Sequence, residues 1–146
     1  MSKGIHFKES YLLCREGYRA AFLQAWLDAK IDLLLTVPNA TPAVPHNGLG
    51  DSFSSCGYTF LFNFVDYPAG IIPVTKVDPV KDALPKDFKP KNHVEKGAYK
   101  NYRVEEMAGL PIGIQIVGRR LEEEWTLKGM ELVESALHKM GVKYEG

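Results

Sequence analysis

The side chains here with the most chemical potential are Ser54, Ser55 and Cys56, followed by Gly57, and, some twenty residues on, Lys76. A hydroxyl attacks a carbonyl only when a neighbouring base takes its proton, so these serines matter only if such a base reaches them. Lys76 follows a short apolar run, where a lysine ordinarily ends in solvent, and the same reading holds for Lys81. His6, His46, His93 and His138 are scattered, with no carboxylate or nucleophile at a regular offset, so no triad can be built from them. Cys14 and Cys56 have no second thiol or histidine at metal-ligand spacing, which argues against both a zinc site and a disulfide framework. Gly48-Leu49-Gly50 lacks the preceding strand and third glycine of a dinucleotide loop and reads as a turn. The expectation is therefore no cofactor, no metal and no catalytic residue.

Charge names no ligand either. The 146 residues carry 18 basic and 18 acidic side chains without a block of one sign, which offers nothing to nucleic acid or an anionic surface. The longest apolar runs, Leu33 to Leu35 and Tyr58 to Leu61, are far too short to cross a bilayer, and Met1 to Lys8 has no signal-peptide core. A cytoplasmic location is expected.

The elements that must position any site can be read from periodicity. Tyr18, Phe22, Ala25, Trp26 and Ala29 recur at three- and four-residue steps and predict a helix from Ser10, its cap, with Gly17 marking close packing. Leu33 to Val37, closed by Pro38, reads as a strand buried on both faces, and the Pro/Gly-rich stretch 39–51 as a loop. Tyr58 to Tyr67, closed by Pro68, predicts a short buried helix; Ile71 to Val77 predicts a strand with Pro73 at an edge or bulge. Residues 78–106, rich in lysine, aspartate and proline, read as a surface excursion anchored by Tyr99 and Tyr102. Ile112, Ile114 and Ile116 alternate with Gly113 and Gln115 as a strand closely packed on its bare face. After Arg119 and Arg120, Glu122 to Glu124 open a helix with the apolar stripe Trp125, Gly129, Leu132, Val133, Ala136, Leu137 and Met140, stopped at Gly141. This is an α/β order.

Two segments go beyond pattern: Tyr58-Thr59-Phe60-Leu61-Phe62-Asn63-Phe64-Val65-Asp66-Tyr67-Pro68-Ala69-Gly70-Ile71-Ile72-Pro73-Val74-Thr75, and Gly109-Leu110-Pro111-Ile112-Gly113-Ile114-Gln115-Ile116-Val117-Gly118-Arg119. In order and spacing they resemble the closing part of amidase-signature enzymes, and the form Asp66-Tyr67-Pro68-Ala69-Gly70 is most similar to the eukaryotic fatty acid amide hydrolases. The resemblance implies that residues 1–146 are the C-terminal portion of an amidase domain, with 78–106 an excursion within it. It also implies a fold of about three strands in a short mixed sheet flanked by helices.

The same resemblance implies what is missing. Family members relay a proton from a serine through a second serine to a lysine, and those groups precede the closing region. Ser54-Ser55-Cys56-Gly57 lacks the signature's flanking glycines, so the chain is expected to be inactive alone. By analogy Phe53, Cys56 and Phe60 would line the acyl-chain passage for a small-molecule or lipid amide, which suits an apolar tail. Plain core packing of the two phenylalanines is the rival reading. The complete enzyme would then hydrolyse a carbon-nitrogen amide bond, with membrane contact and homo-oligomers left open. The alternative is a non-catalytic module that binds an apolar ligand or another protein.

Overall fold

The computed structural model describes residues 3–48, 56–142 and 144. Its elements run α1 (Lys3–Asp28), β1 (Leu34–Thr36), α2 (Gly57–Val65), β2 (Ala69–Lys76), α3 (His93–Tyr99), α4 (Val104–Met107), β3 (Pro111–Val117) and α5 (Glu123–Lys139). The three strands form one sheet in the order β1-β3-β2.

The expected short sheet flanked by helices is present, with one change: both pairings are antiparallel, so the sheet is not mixed. The reason is connectivity. β1 and β2 run the same way and are joined through α2, but β3 inserts between them, so the parallel pair never touches. β2 and β3 make a hairpin whose long connection leaves and returns at the Lys76↔Pro111 end. Pro73 sits at the outer strand, with the register slipping between Pro73 and Thr75, because a residue without an N–H is tolerated only at an edge or bulge.

Other expectations are corrected. α1 begins well before Ser10, which lies inside it rather than capping it, and a methyl group added at Gly17 would meet nothing within 4 Å. β1 is an edge strand with Leu35 exposed, so it is not buried on both faces. α5 faces the sheet with Thr126, Gly129, Met130, Val133 and Leu137, while Trp125, Leu132, Ala136 and Met140 of the expected stripe stand exposed.

The sheet separates two helical layers. On one side Trp26, Phe62, Val65, Tyr67 and Val117 form the main core, with Phe22, Leu34 and Phe64 against it. Tyr67 is met edge-on by Trp26 and Phe22, at ring separations of 5.4 and 5.3 Å, a geometry that suits the aromatic quadrupole. On the other side α5 approaches β2 so closely that a methyl at Gly70 would lie 2.1 Å from Met130 Sδ. A smaller cluster of Val77, Val104 and Met107 anchors the excursion to the sheet end.

Three helices end in the same hydrogen-bonded turn. After α1, α2 and α5 the chain takes one left-handed residue, Lys30 (φ 53°), Asp66 (φ 64°) and Gly141 (φ 80°). The following N–H then reaches back to a carbonyl in the last turn, Ile31 to Trp26, Tyr67 to Phe62 and Val142 to Leu137.

Candidate functional site

Among the described residues, a concavity lies where β1, α2 and α3 meet. It is a groove of about 680 Å³ walled by Val37, Asn39 and Ala40 after β1, Gly57 and Tyr58 at the start of α2, and Asn92, Val94, Glu95, Ala98 and Tyr99 of the excursion. Each wall is held for a local reason. Gln115, 2% exposed on β3, donates from Nε2 to the Tyr58 carbonyl at 3.1 Å, which fixes the first turn of α2 against the sheet. Asn92 caps α3 by accepting from the Glu95 N–H at 2.9 Å. Tyr99 lies between Phe88, tilted against it at 4.7 Å, and Tyr102, edge-on at 5.7 Å, and the Tyr102 hydroxyl donates to the Asp82 carbonyl at 2.7 Å. Burial and the nearby Asp82 carboxylate, in that order, push the Tyr102 hydroxyl pKa up. The expected anchoring by Tyr99 and Tyr102 is thus built from ring contacts and one hydrogen bond. Chemically the groove offers apolar wall with a few amide and carboxylate groups at its rim.

Phe53 lies outside the described residues, as do Ser54 and Ser55. Cys56, just before α2, and Phe60, in its first turn, are both exposed, the Phe60 N–H donating to the Cys56 carbonyl at 2.7 Å. Phe60 continues into Phe64, 6.2 Å away, and neither Cys56 nor Phe60 lines the groove. Sequence reasoning passed over Tyr58, Val37 and Val94. The signal for Tyr58 was its place in the first turn of the aromatic helix, while Val94 lies in a stretch without periodicity.

The candidate bases are occupied elsewhere. Lys76 Nζ stands 5.4 Å from the centre of the Tyr144 ring, and Lys81 pairs with Asp78 at 3.2 Å. His46, His93 and His138 are exposed, and among the described residues no three metal-binding side chains converge.

A second polar feature ties the layers together. Asp66, in its left-handed turn, accepts from Arg120 Nε at 2.7 Å and faces Arg19 Nη2 at 3.8 Å, while Arg19 Nε donates to the Phe64 carbonyl at 3.1 Å. The Arg120 hydrogen bond holds the Asp66 carboxyl below the usual aspartate range. Arg119 donates to Glu122, and this hydrogen bond raises the Arg119 pKa and fixes the entry to α5. These pairs are structural clamps, since each arginine already has a carboxylate partner.

Residues 3–127 match the family model described as Amidase, and this chain belongs to the amidase family. An acetamidase of Aspergillus oryzae is 34% identical over 126 residues, which are 82% of this chain and 22% of that protein. A fatty-acid amide hydrolase 1 of Sus scrofa is 31% identical over 119 residues, 82% of this chain and 20% of the relative. A solved structure of a fatty acid amide hydrolase superposes with a TM-score of 0.73 at 24% identity, covering 86% of this chain and 22% of that one. The fold is therefore that of an amidase fragment, and the chain spans only about a fifth of the length of the relatives it matches.

Proposed function

We propose that this chain is the closing segment of an enzyme that hydrolyses the carbon-nitrogen bond of a lipid or small amide, and that it performs no hydrolysis alone. The observation that carries the reading is the pairing of a family match over residues 3–127 with a share of only 22% of the matched acetamidase. Supporting it, Lys76 and Lys81 are engaged with Tyr144 and Asp78, so neither is poised as a base for a serine. The segment's contribution is then the apolar wall of Val37, Tyr58, Val94 and Tyr99, against which an acyl group can lie while the nucleophile comes from elsewhere in the enzyme. Each buried methylene of such a tail contributes about 0.8 kcal/mol.

The test is direct. The purified chain is incubated with a long-chain fatty acid amide and a serine-directed fluorophosphonate. Neither turnover nor labelling is expected, and labelling abolished by substitution at Ser54 or Ser55 would overturn the reading. A second reading, an apolar-ligand-binding module, is favoured by the size of the groove. It predicts saturable binding of the fatty acid amide by the chain alone, lost in Val94→Asp.

A further inference from the structure

The chain holds five asparagines, and only Asn47 precedes a glycine. An asparagine side-chain amide is open to attack by the main-chain nitrogen of the next residue, and a glycine there puts no side chain in the way. The fold dictates both members of this pair. Pro45 to Gly48 closes a turn in which the Gly48 N–H donates to the Pro45 carbonyl at 2.8 Å. Asn47, at the third place, sits in the left-handed region (φ 61°), which asparagine tolerates better than most residues. At Gly48 a methyl group would lie 2.8 Å from the Pro45 oxygen and 3.5 Å from Asn101 Nδ2, so a side chain is excluded. The Asn47 side chain itself is exposed to water.

Gly48 is held by both of its polar groups. Besides its N–H on Pro45, its carbonyl accepts from Asn101 Nδ2, which hooks the segment 39–48 to the excursion. Attack requires the Gly48 nitrogen to give up its proton and swing onto Asn47 Cγ. Both movements are opposed while the N–H is bonded and the carbonyl is hooked. The hook also lies between two walls of the groove. Asn39 and Ala40 belong to the first segment, Val94 to Tyr99 belong to the second, and Asn101 follows just beyond.

We propose that Asn47 is a deamidation site whose rate is set by the Asn101 hook, and that its conversion releases one wall of the groove from the other. The reaction consumes only water. When the hook opens, the Gly48 nitrogen passes its proton to water and bonds to Asn47 Cγ. The bond from Cγ to Nδ2 then breaks, and the departing nitrogen takes up a proton and leaves as ammonia, with a five-membered succinimide behind it. Water next adds to one of the two ring carbonyls and breaks that carbon's bond to the ring nitrogen. Addition at Cγ gives an aspartyl residue, and addition at the main-chain carbonyl gives an isoaspartyl residue. The isoaspartyl product routes the chain through the side chain and inserts one methylene, about 1.5 Å of backbone, which carries Gly48 out of register with both Pro45 and Asn101.

The experiment incubates the folded chain at mildly alkaline pH and maps asparagine conversion by tandem mass spectrometry, with enzymatic methylation of isoaspartyl groups as a second readout. Asn47 is expected to convert while Asn39, Asn63, Asn92 and Asn101 stay intact, and to convert more slowly than in the same chain unfolded in urea. Asn101→Ala and Asn101→Asp, the second of which keeps the shape but lacks the donor, should each raise the rate about fivefold, the weight of one hydrogen bond. Asn63→Ala, on the exposed side of α2, should leave it unchanged. Aged parent, separated from fresh by ion exchange, should exchange the amide hydrogens of residues 92–101 faster, whereas Asn47→Gln, which lacks the five-membered route, should not change on ageing. The proposal is overturned if Asn47 stays intact in the folded chain, if it converts there as fast as in urea, or if neither Asn101 variant speeds it. It is equally overturned if aged and fresh chains exchange residues 92–101 alike.

Discussion

Replacing Gly118 by alanine tests the join between β3 and α5. The new methyl would lie 2.0 Å from Thr126 Oγ1 and 3.2 Å from Thr126 Cβ. Neither side yields readily. Thr126 is buried and its hydroxyl donates to the Glu122 carbonyl at 2.9 Å, while the Gly118 N–H donates to the Pro68 carbonyl at 3.0 Å. Overpacking of this kind costs about 1–3 kcal/mol, and displacing the hydroxyl from its acceptor adds about 1 kcal/mol, so Gly118→Ala should destabilise by about 2–4 kcal/mol. Thr126→Ala alone should cost about 1 kcal/mol, from the lost hydrogen bond. The double variant removes the clashing oxygen and should fall short of the sum by about 1–2 kcal/mol. Urea unfolding followed by far-UV circular dichroism at 25 °C reads all three, with the Gly118→Ala midpoint lower by about 1–2 M at the slope usual for this size. Additivity within about 0.5 kcal/mol would show that the two residues do not share this space, and would refute the reasoning.

Three further outcomes are expected. Lys30→Gly should stabilise the chain by about 0.5–1 kcal/mol in thermal or urea unfolding, because glycine removes the left-handed strain at φ 53° but loses more chain entropy on folding. Tyr67→Phe should be neutral or stabilising by about 1 kcal/mol, since the Tyr67 hydroxyl is buried with no hydrogen-bond partner among the described residues. Asp66, with its folded pKa held below its unfolded one by Arg120, contributes stability that is fully present above about pH 4 and is lost as pH falls toward the folded value. Unfolding measured from pH 6 to pH 2 should therefore be less steep in Asp66→Asn than in the parent.

Much of this architecture was legible because the local signals agreed with the fold. Phe62 and Val65 lie inside the aromatic run that Pro68 closes, and Pro73 announced the irregular edge of β2. Of the three left-handed helix stops, only Gly141 was visible; Lys30 and Asp66 adopt the same turn without a glycine to signal it, held by tertiary contacts such as Asp66 with Arg120. The α5 stripe misled for a related reason. Periodicity reports the whole apolar arc, and it cannot say which part meets this sheet and which part meets something else. The groove was the least legible feature, because its walls come from three segments far apart in sequence and one of them, around Val94, has no periodic signal. The resemblance named Cys56 and Phe60, which flank Tyr58 in sequence, and of these three it is Tyr58 that walls the groove.

The excursion between β2 and β3 leaves and re-enters the sheet at a single point. The Lys76↔Pro111 pair is locked just beyond by Val77 N–H to the Leu110 carbonyl and Gly109 N–H to the Val77 carbonyl, both at 2.9 Å. Whatever lies between those clasps can lengthen or shorten without shifting strand register, since doubling a loop costs only about 0.6 kcal/mol in closure entropy. One wall of the groove is carried on that segment while the other two belong to the sheet and α2. The molecule thus separates an exchangeable wall from a fixed frame, so cavity shape can diversify while the fold's interior stays untouched.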